Sequence, residues 1–184
     1  MMKTTLNALR KHGPCKTSWS KLLAHLGKTS ADNEDIDLQI VLKVLGVADT
    51  VWSFRVFPGL TLQYLALDIA QTVSNLDTSG SAQRAIDAGR SYLAGTAHAY
   101  TVYDAAEAAV DAAATAWVAR ADARAARAAD AAYSAARAAA RVDAYDAAAR
   151  AAYAAYAAVS AADDDSVLLD EQHKIVARFI KENS

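Results

Sequence analysis

The chain has 184 residues, and 54% of them are hydrophobic, at face value enough for a large single-domain core. Alanine supplies 47 of those positions, so half of the apolar material is methyl groups that bury little surface, which excludes a core of large side chains along the whole length. Nineteen basic against 21 acidic residues leave a net charge of −2, which argues against a generic polyanion-binding surface and against a wholesale nucleic-acid mimic.

In residues 1–96, short helical patterns alternate with turn chemistry. Thr4 to Lys11 form an opening helix, stopped by His12-Gly13-Pro14. Thr17 or Ser18 then caps Trp19 to Leu26, with Trp19, Leu22, Leu23 and Leu26 on one face and Gly27 as terminator. Lys28 to Asp35 reads as a loop. Asp37 caps Leu38 to Leu45, which Gly46 closes; the spacing of Leu38, Val41, Leu42 and Leu45 selects helix over strand despite the β-branched content. Asp49 to Phe57 follows, ended by Pro58-Gly59. Leu60 to Leu76 reads as one mostly buried helix, Asp77 to Gly80 as a turn, and Ser81 as the cap of Ala82 to Ala94, which stops at Gly95.

Punctuation then ceases. From Ala105 to Ala162, alanine occupies 34 of 58 positions with no Gly or Pro, a composition no β-sheet domain carries. One uninterrupted helix from Ala97 to Ala162 would span roughly 90–100 Å. Its polar stripe does not stay on one face. Asp104, Glu107, Asp111, Thr115 and Asp122 define a first stripe; Arg120, Arg124, Arg127, Asp130, Ser134, Arg137 and Arg141 a second, turned by more than 100°; Asp143, Asp146 and Arg150 a third. Breaks near 118–123 and 141–143 are therefore expected, giving three alanine-rich helices folded on one another at the close end of the 8–10 Å packing range. Asp163-Asp164-Asp165-Ser166 starts a last helix, Val167 to Lys181, whose charges match the helix dipole. The expected fold is an all-α multi-helix bundle: a compact region 1–96 with the larger apolar residues, and a region 97–184 of close-packed alanine helices with a C-terminal helix, forming one continuous domain.

A single cysteine, Cys15, excludes an internal disulfide. The N-terminus has no apolar run long enough for a signal peptide, and a charge every few residues argues against a membrane span in the alanine tract. A cytoplasmic protein without membrane contact is expected.

Candidate sites are few. Gly27-Lys28-Thr29 has the tail of a phosphate-binding loop, but position 22 is Leu and the lead-in is helical, so a helix stop explains the glycine better. His12, Cys15 and His25 lack a fourth metal ligand; a buried Cys15 with surface or capping histidines is expected. The Asp163-Asp164-Asp165 run lacks calcium-loop spacing and reads as an N-cap. Trp52 and Arg55, at i,i+3, read as a packed tryptophan with its arginine at the rim, in preference to a ligand cradle. No catalytic set assembles: His12, His25, His98 and His173 fall in different elements, and no cofactor or metal is expected. Tyr133, Arg137, Arg141, Tyr145, Tyr153 and Tyr156 remain. Tyr and Arg anchor protein interfaces, so these residues either fill gaps between the alanine helices or face a partner.

The run Leu6-Asn7-Ala8-Leu9-Arg10-Lys11-His12-Gly13-Pro14-Cys15 resembles the N-terminal region of the alanine-rich immunity-protein family of bacteria and their phages. Trp19, Leu22-Leu23, His25-Leu26-Gly27-Lys28-Thr29, Ala31-Asp32, the segment Val44 to Arg55 and the segment Ala85 to Gly95 carry the same resemblance. The chain departs from it at Ser53, where the family has Cys, and in the turn after Arg55. The resemblance implies a non-enzymatic protein that binds a protein partner: an immunity protein neutralising a toxin, or a phage-encoded inhibitor of a host defence such as CRISPR. It supplies no catalytic residue. The alternative is a self-assembling scaffold, a homodimer at its simplest, whose alanine faces pair between chains.

Overall fold

Thr5 and Asp37 each end a strand and open a helix. In the computed structural model, which describes residues 2–57, 62–119, 123–140, 144–162 and 165–184, with the backbone alone for 115–119 and 144–149, β1 (Lys3–Thr5) pairs antiparallel with β2 (Asp35–Asp37). The Thr5 hydroxyl accepts the Ala8 N–H at 3.1 Å and starts α1 (Leu6–Arg10). This ribbon lies where helix and loop were expected. Three residue pairs, Lys3 with Asp37, Thr4 with Ile36 and Thr5 with Asp35, are too short a run to leave a period-2 signal.

Helix α2 (Lys16–His25) starts earlier than its sequence suggested, because Cys15 is the cap: its Sγ accepts the Ser18 N–H at 3.3 Å, and the thiol is exposed, contrary to the expectation of a buried cysteine. Helix α3 (Leu38–Leu45) matches its caps. Asp37 accepts the Gln39 N–H at 2.9 Å, and Gly46, at φ +83°, turns the chain directly into α4 (Val47–Ser53) in a conformation that L side chains rarely adopt.

The segment expected as one helix to Leu76 is α5 (Gln63–Gln71) followed by a tight 3-10 turn, Ser74–Leu76. Thr72 is the reason: its hydroxyl donates to the Ile69 carbonyl at 2.7 Å, drawing the backbone into tighter winding. Helix α6 (Ser81–Leu93) is capped by Asp77 in place of Ser81. The carboxylate accepts the Ala82 N–H at 2.7 Å and the Ser81 hydroxyl at 2.8 Å on one oxygen, and the Ser79 N–H and hydroxyl on the other.

The alanine tract forms α7 (Ala99–Ala119), α8 (Ala123–Ala139) and α9 (Ala144–Ala162), with the helix ends flanking both expected breaks. Helix α8 is central, packed against α5, α6, α7 and α9. From Ala126 to Ala139 every alanine on it is buried, along with Ser134. Helix α7 presents Val102, Ala106, Ala109 and Ala113, at alternating steps of four and three, while Asp104, Glu107 and Asp111 face solvent. The described arginines of the second stripe, Arg124, Arg127 and Arg137, are half-buried and engaged within the chain. Arg124 donates to the Ala161 carbonyl at 3.0 Å and Arg127 to that of Ser160 at 3.3 Å, satisfying the orphan carbonyls at the end of α9. One step further along the stripe, burial alone pushes the Asp130 carboxyl up.

Helix α10 (Ser166–Glu182) is capped by Asp165, which accepts the Val167 and Leu168 N–H groups; the neighbouring Asp163 and Asp164 lie outside the described residues. It closes the bundle against α3, α4, α5 and α9. Phe179 meets Phe54 with ring centres 5.2 Å apart, Gln39 donates to the Ala177 carbonyl, and the fully buried Gln172 donates to Thr72 at 3.0 Å. A single hydrophobic cluster runs from Met2 to Ile180, so regions 1–96 and 97–184 share one core. Among the described residues, no helix is long and apolar enough to cross a membrane.

Two outcomes follow for stability. Ala132, fully buried on α8, has no space for a larger side chain: Ala132→Leu lowers unfolding free energy by about 1–3 kcal/mol in urea titration, whereas Ala123→Leu, at an exposed position on the same helix, stays within about 0.5 kcal/mol. Burial by itself would raise the Asp77 carboxyl, but the hydrogen bonds from Ala82, Ser79 and Ser81 outweigh it and hold the group below its ordinary value. A lowered folded value stabilises the fold fully above the unfolded value of about 3.9, and that contribution is lost as pH falls through the folded value. Asp77→Ala therefore costs about 1 kcal/mol at pH 7, and its deficit against the parent chain narrows in urea titrations below pH 3.

Candidate functional site

Helix α4 carries Trp52, the 3-10 turn that follows it (Phe54–Val56) carries Arg55 three residues on, and α9 packs alongside. Between them lies an open groove of about 370 Å³. Ala48, Asp49, Trp52 and Arg55 line one side; Ala152, Tyr153 and Tyr156 line the other. Alanine makes the groove: at positions 48 and 152 a methyl group leaves space that a larger residue would fill, so the aromatic rings stand as walls.

The walls are well exposed. Tyr153 is 63% and Tyr156 67% solvent-accessible, although both sit on a helix whose other described faces are largely buried alanine. The Arg55 guanidinium lies 5.7 Å from the centre of the Trp52 ring, a cation–π distance. Its Nε is buried without a hydrogen-bond partner. Asp49 is engaged differently: the Ser18 hydroxyl donates to its carboxylate at 2.7 Å, tying α2 to the first turn of α4. Hydrogen bonding to the Ser18 side chain and backbone also draws the nearby Cys15 thiol below its ordinary value. Behind Trp52, a crevice of about 20 Å³ between α2, α3 and α4 is too small for more than a water molecule.

The six residues singled out from the sequence separate into three groups. Tyr153 and Tyr156 stand together at the groove. Tyr133 and Arg137 turn inward: the Arg137 guanidinium is stacked 4.6 Å from the Tyr103 ring centre and 5.9 Å from that of Tyr133, with its Nε buried and unpaired. They join α7 to α8 and fill a gap between alanine helices. Arg141 and the Tyr145 side chain lie outside the described residues. Trp52 and Arg55 sit where a packed tryptophan with a rim arginine was expected, and the α9 tyrosines turn that rim into part of a groove. Asp49, Ala48 and Ala152 were not singled out, since nothing local distinguishes a groove-lining alanine from 46 others.

Among the described residues, no group of three or more His, Cys, Asp or Glu could hold a metal ion. The histidines stay apart, on the α1–α2 turn, the end of α2, the α6–α7 link and α10. No protein-family model matches the chain, and neither the curated proteins nor the solved structures provide a match to it.

Different burial sets different costs for the tyrosines. Tyr153→Ala and Tyr156→Ala leave the urea midpoint within about 0.5 kcal/mol of the parent, while Tyr133→Ala costs about 1–3 kcal/mol because it removes packing against the core and one wall of the Arg137 stack.

Proposed function

We propose that this is a non-enzymatic protein-binding inhibitor that engages its partner through the α4–α9 groove, as an immunity protein acting on a toxin or as a phage-encoded inhibitor of a host defence such as CRISPR. The observation that carries the reading is the pair of exposed tyrosines, Tyr153 and Tyr156, beside Trp52 and Arg55. Tyr, Trp and Arg are the residue types that concentrate binding energy at interfaces. Large aromatic groups left in water on an otherwise alanine helix cost solvation with no return within the chain, which favours a role outside it. The resemblance of residues 6–15 and 44–55 to the alanine-rich immunity proteins supports the same class of activity, and cytoplasmic action would suit it.

The scaffold reading draws less support. It needs alanine faces free to pair between chains, and the described alanines of α8 from Ala126 onward are buried inside one chain. Light scattering at high protein concentration is expected to return a monomer; concentration-dependent oligomers would favour the scaffold.

In the direct test, the chain is co-expressed with candidate toxins and CRISPR effectors. One candidate is expected to co-purify at fixed stoichiometry, with growth or phage plating restored accordingly. Tyr153→Ala/Tyr156→Ala weakens that complex by about 2 kcal/mol or more, roughly 30-fold, with unchanged melting. Equal binding by the parent and the double variant would overturn the assignment of the groove.

A further inference from the structure

Helix α10 lies over the bundle with little of itself inside. Three of its 17 residues are buried, Gln172, Val176 and Ile180, against ten of the 17 in α8. The first of the three is polar. Gln172 donates its amide N–H to the Thr72 hydroxyl at 3.0 Å, and its Oε1 is buried with no hydrogen-bond partner among the described residues. Turning the amide over does not help, because the Thr72 proton is already given to the Ile69 carbonyl and two acceptors would then face each other. An acceptor left unpaired in the docked state regains water when the helix lifts. Gln172 therefore draws the balance toward opening, where an apolar side chain would hold α10 down.

The segment is also equipped to stay helical when undocked. Asp165 caps its first turn, Lys174 pairs with Asp170 one turn earlier, and the Asn183 amide donates to the Phe179 carbonyl at its end, all within residues 165–184. Its polar ties toward the C-terminal end, Gln39 to the Ala177 carbonyl at 3.1 Å and the Met2 N–H to the Ser184 hydroxyl at 2.9 Å, are exchanged for water on opening at small net cost. What α10 covers is the frame of the groove. It packs against both α4 and α9, and the Phe179 ring meets Phe54, the buried first residue of the turn that carries Arg55.

We infer that α10 is a releasable clamp on the groove: it undocks as a unit while α5 to α9 stay packed, the buried Gln172–Thr72 pair sets how readily it does so, and its departure frees Phe54 and the turn that holds Arg55 in the groove wall. The α9 wall stays in place, since that helix packs on α5 and α8 as well. The groove is complete only while α10 is docked.

Native-state hydrogen exchange of the full chain, read residue by residue by NMR in increasing sub-denaturing urea, tests this. The amides of Val176 and Ile180 are expected to exchange at least about tenfold faster than that of Ala135 on α8, with a smaller urea dependence. Gln172→Met keeps the side-chain length and removes the orphan acceptor; it slows Val176 and Ile180 by about tenfold, together with Phe57, whose N–H is bonded to the Phe54 carbonyl. Ala132→Leu, which strains the core that α10 leaves behind, speeds Ala135 and leaves Val176 and Ile180 unchanged. A common rate and urea dependence for Val176, Ile180 and Ala135, or acceleration of all three by Ala132→Leu, shows one cooperative unit and overturns the clamp. Val176 and Ile180 unslowed by Gln172→Met overturn the part assigned to the buried pair, and slowing confined to α10, with Phe57 unchanged, overturns its hold on the groove wall.

Discussion

Helix α8 touches four other helices at once, and from Ala126 onward its buried residues are alanine and one serine. Everything else in the structure accommodates that helix. Axes separated by methyl groups approach closely, and many weak dispersion contacts then replace the few large ones of an ordinary core. Such packing tolerates little error, because no long side chain can reorient to fill a gap. The neighbouring helix shows the same demand: a Cβ on Gly89 of α6 would lie 2.9 Å from Leu67 of α5 and 3.4 Å from Ala139 of α8. A side chain at that helical position would have to displace the buried Leu67 methyl, which favours glycine there although it lowers the propensity of α6.

A core of methyl groups leaves its larger residues with specific tasks. Arg124 and Arg127 reach from α8 to the open carbonyls at the end of α9, and Arg137 lies between two tyrosine rings at the α7–α8 seam. These three arginines brace the bundle, each engaged by groups of the chain itself. The large apolar residues of α3, α4, α5 and α10 form the remainder of the same core, where Phe54, Leu67, Ile69 and Ile180 are almost fully buried. Tyr64 of α5 and Tyr100 of α7 are exposed as well, but beside Tyr153 and Tyr156 of α9 the adjoining α4 and its 3-10 turn supply Trp52 and Arg55 to make a groove.

Much of this was legible in residue order. Asp37 with Gly46, Asp165 at the end of the acidic run, and the stops at Gly27 and Gly95 mark helix ends because capping is local chemistry. The turning of the polar stripe divides the alanine tract into three for a similar reason, since a straight helix keeps its stripe; the three described helices match that division, and residues 120–122 and 141–143 lie outside the described residues. What escaped was non-local or unusual: a three-residue ribbon pairing residues 3–5 with 35–37, a cysteine acting as cap, and a carboxylate reaching past Ser81 to cap α6 from Asp77.

The same division holds for the candidate site. Composition, capping and periodicity determine an all-helical chain with an alanine-packed half, and they single out Tyr153, Tyr156, Trp52 and Arg55 as residues with more chemistry than their surroundings. Sequence could not place α4 against α9, because residues 52 and 153 are separated by the whole of the intervening bundle and no periodicity relates them. Nor could it tell Tyr153, which stands in water, from Tyr133, which closes an internal stack; both are tyrosines on alanine helices. That difference is decided by which face of each helix its neighbours cover, and coverage exists only once the helices have packed.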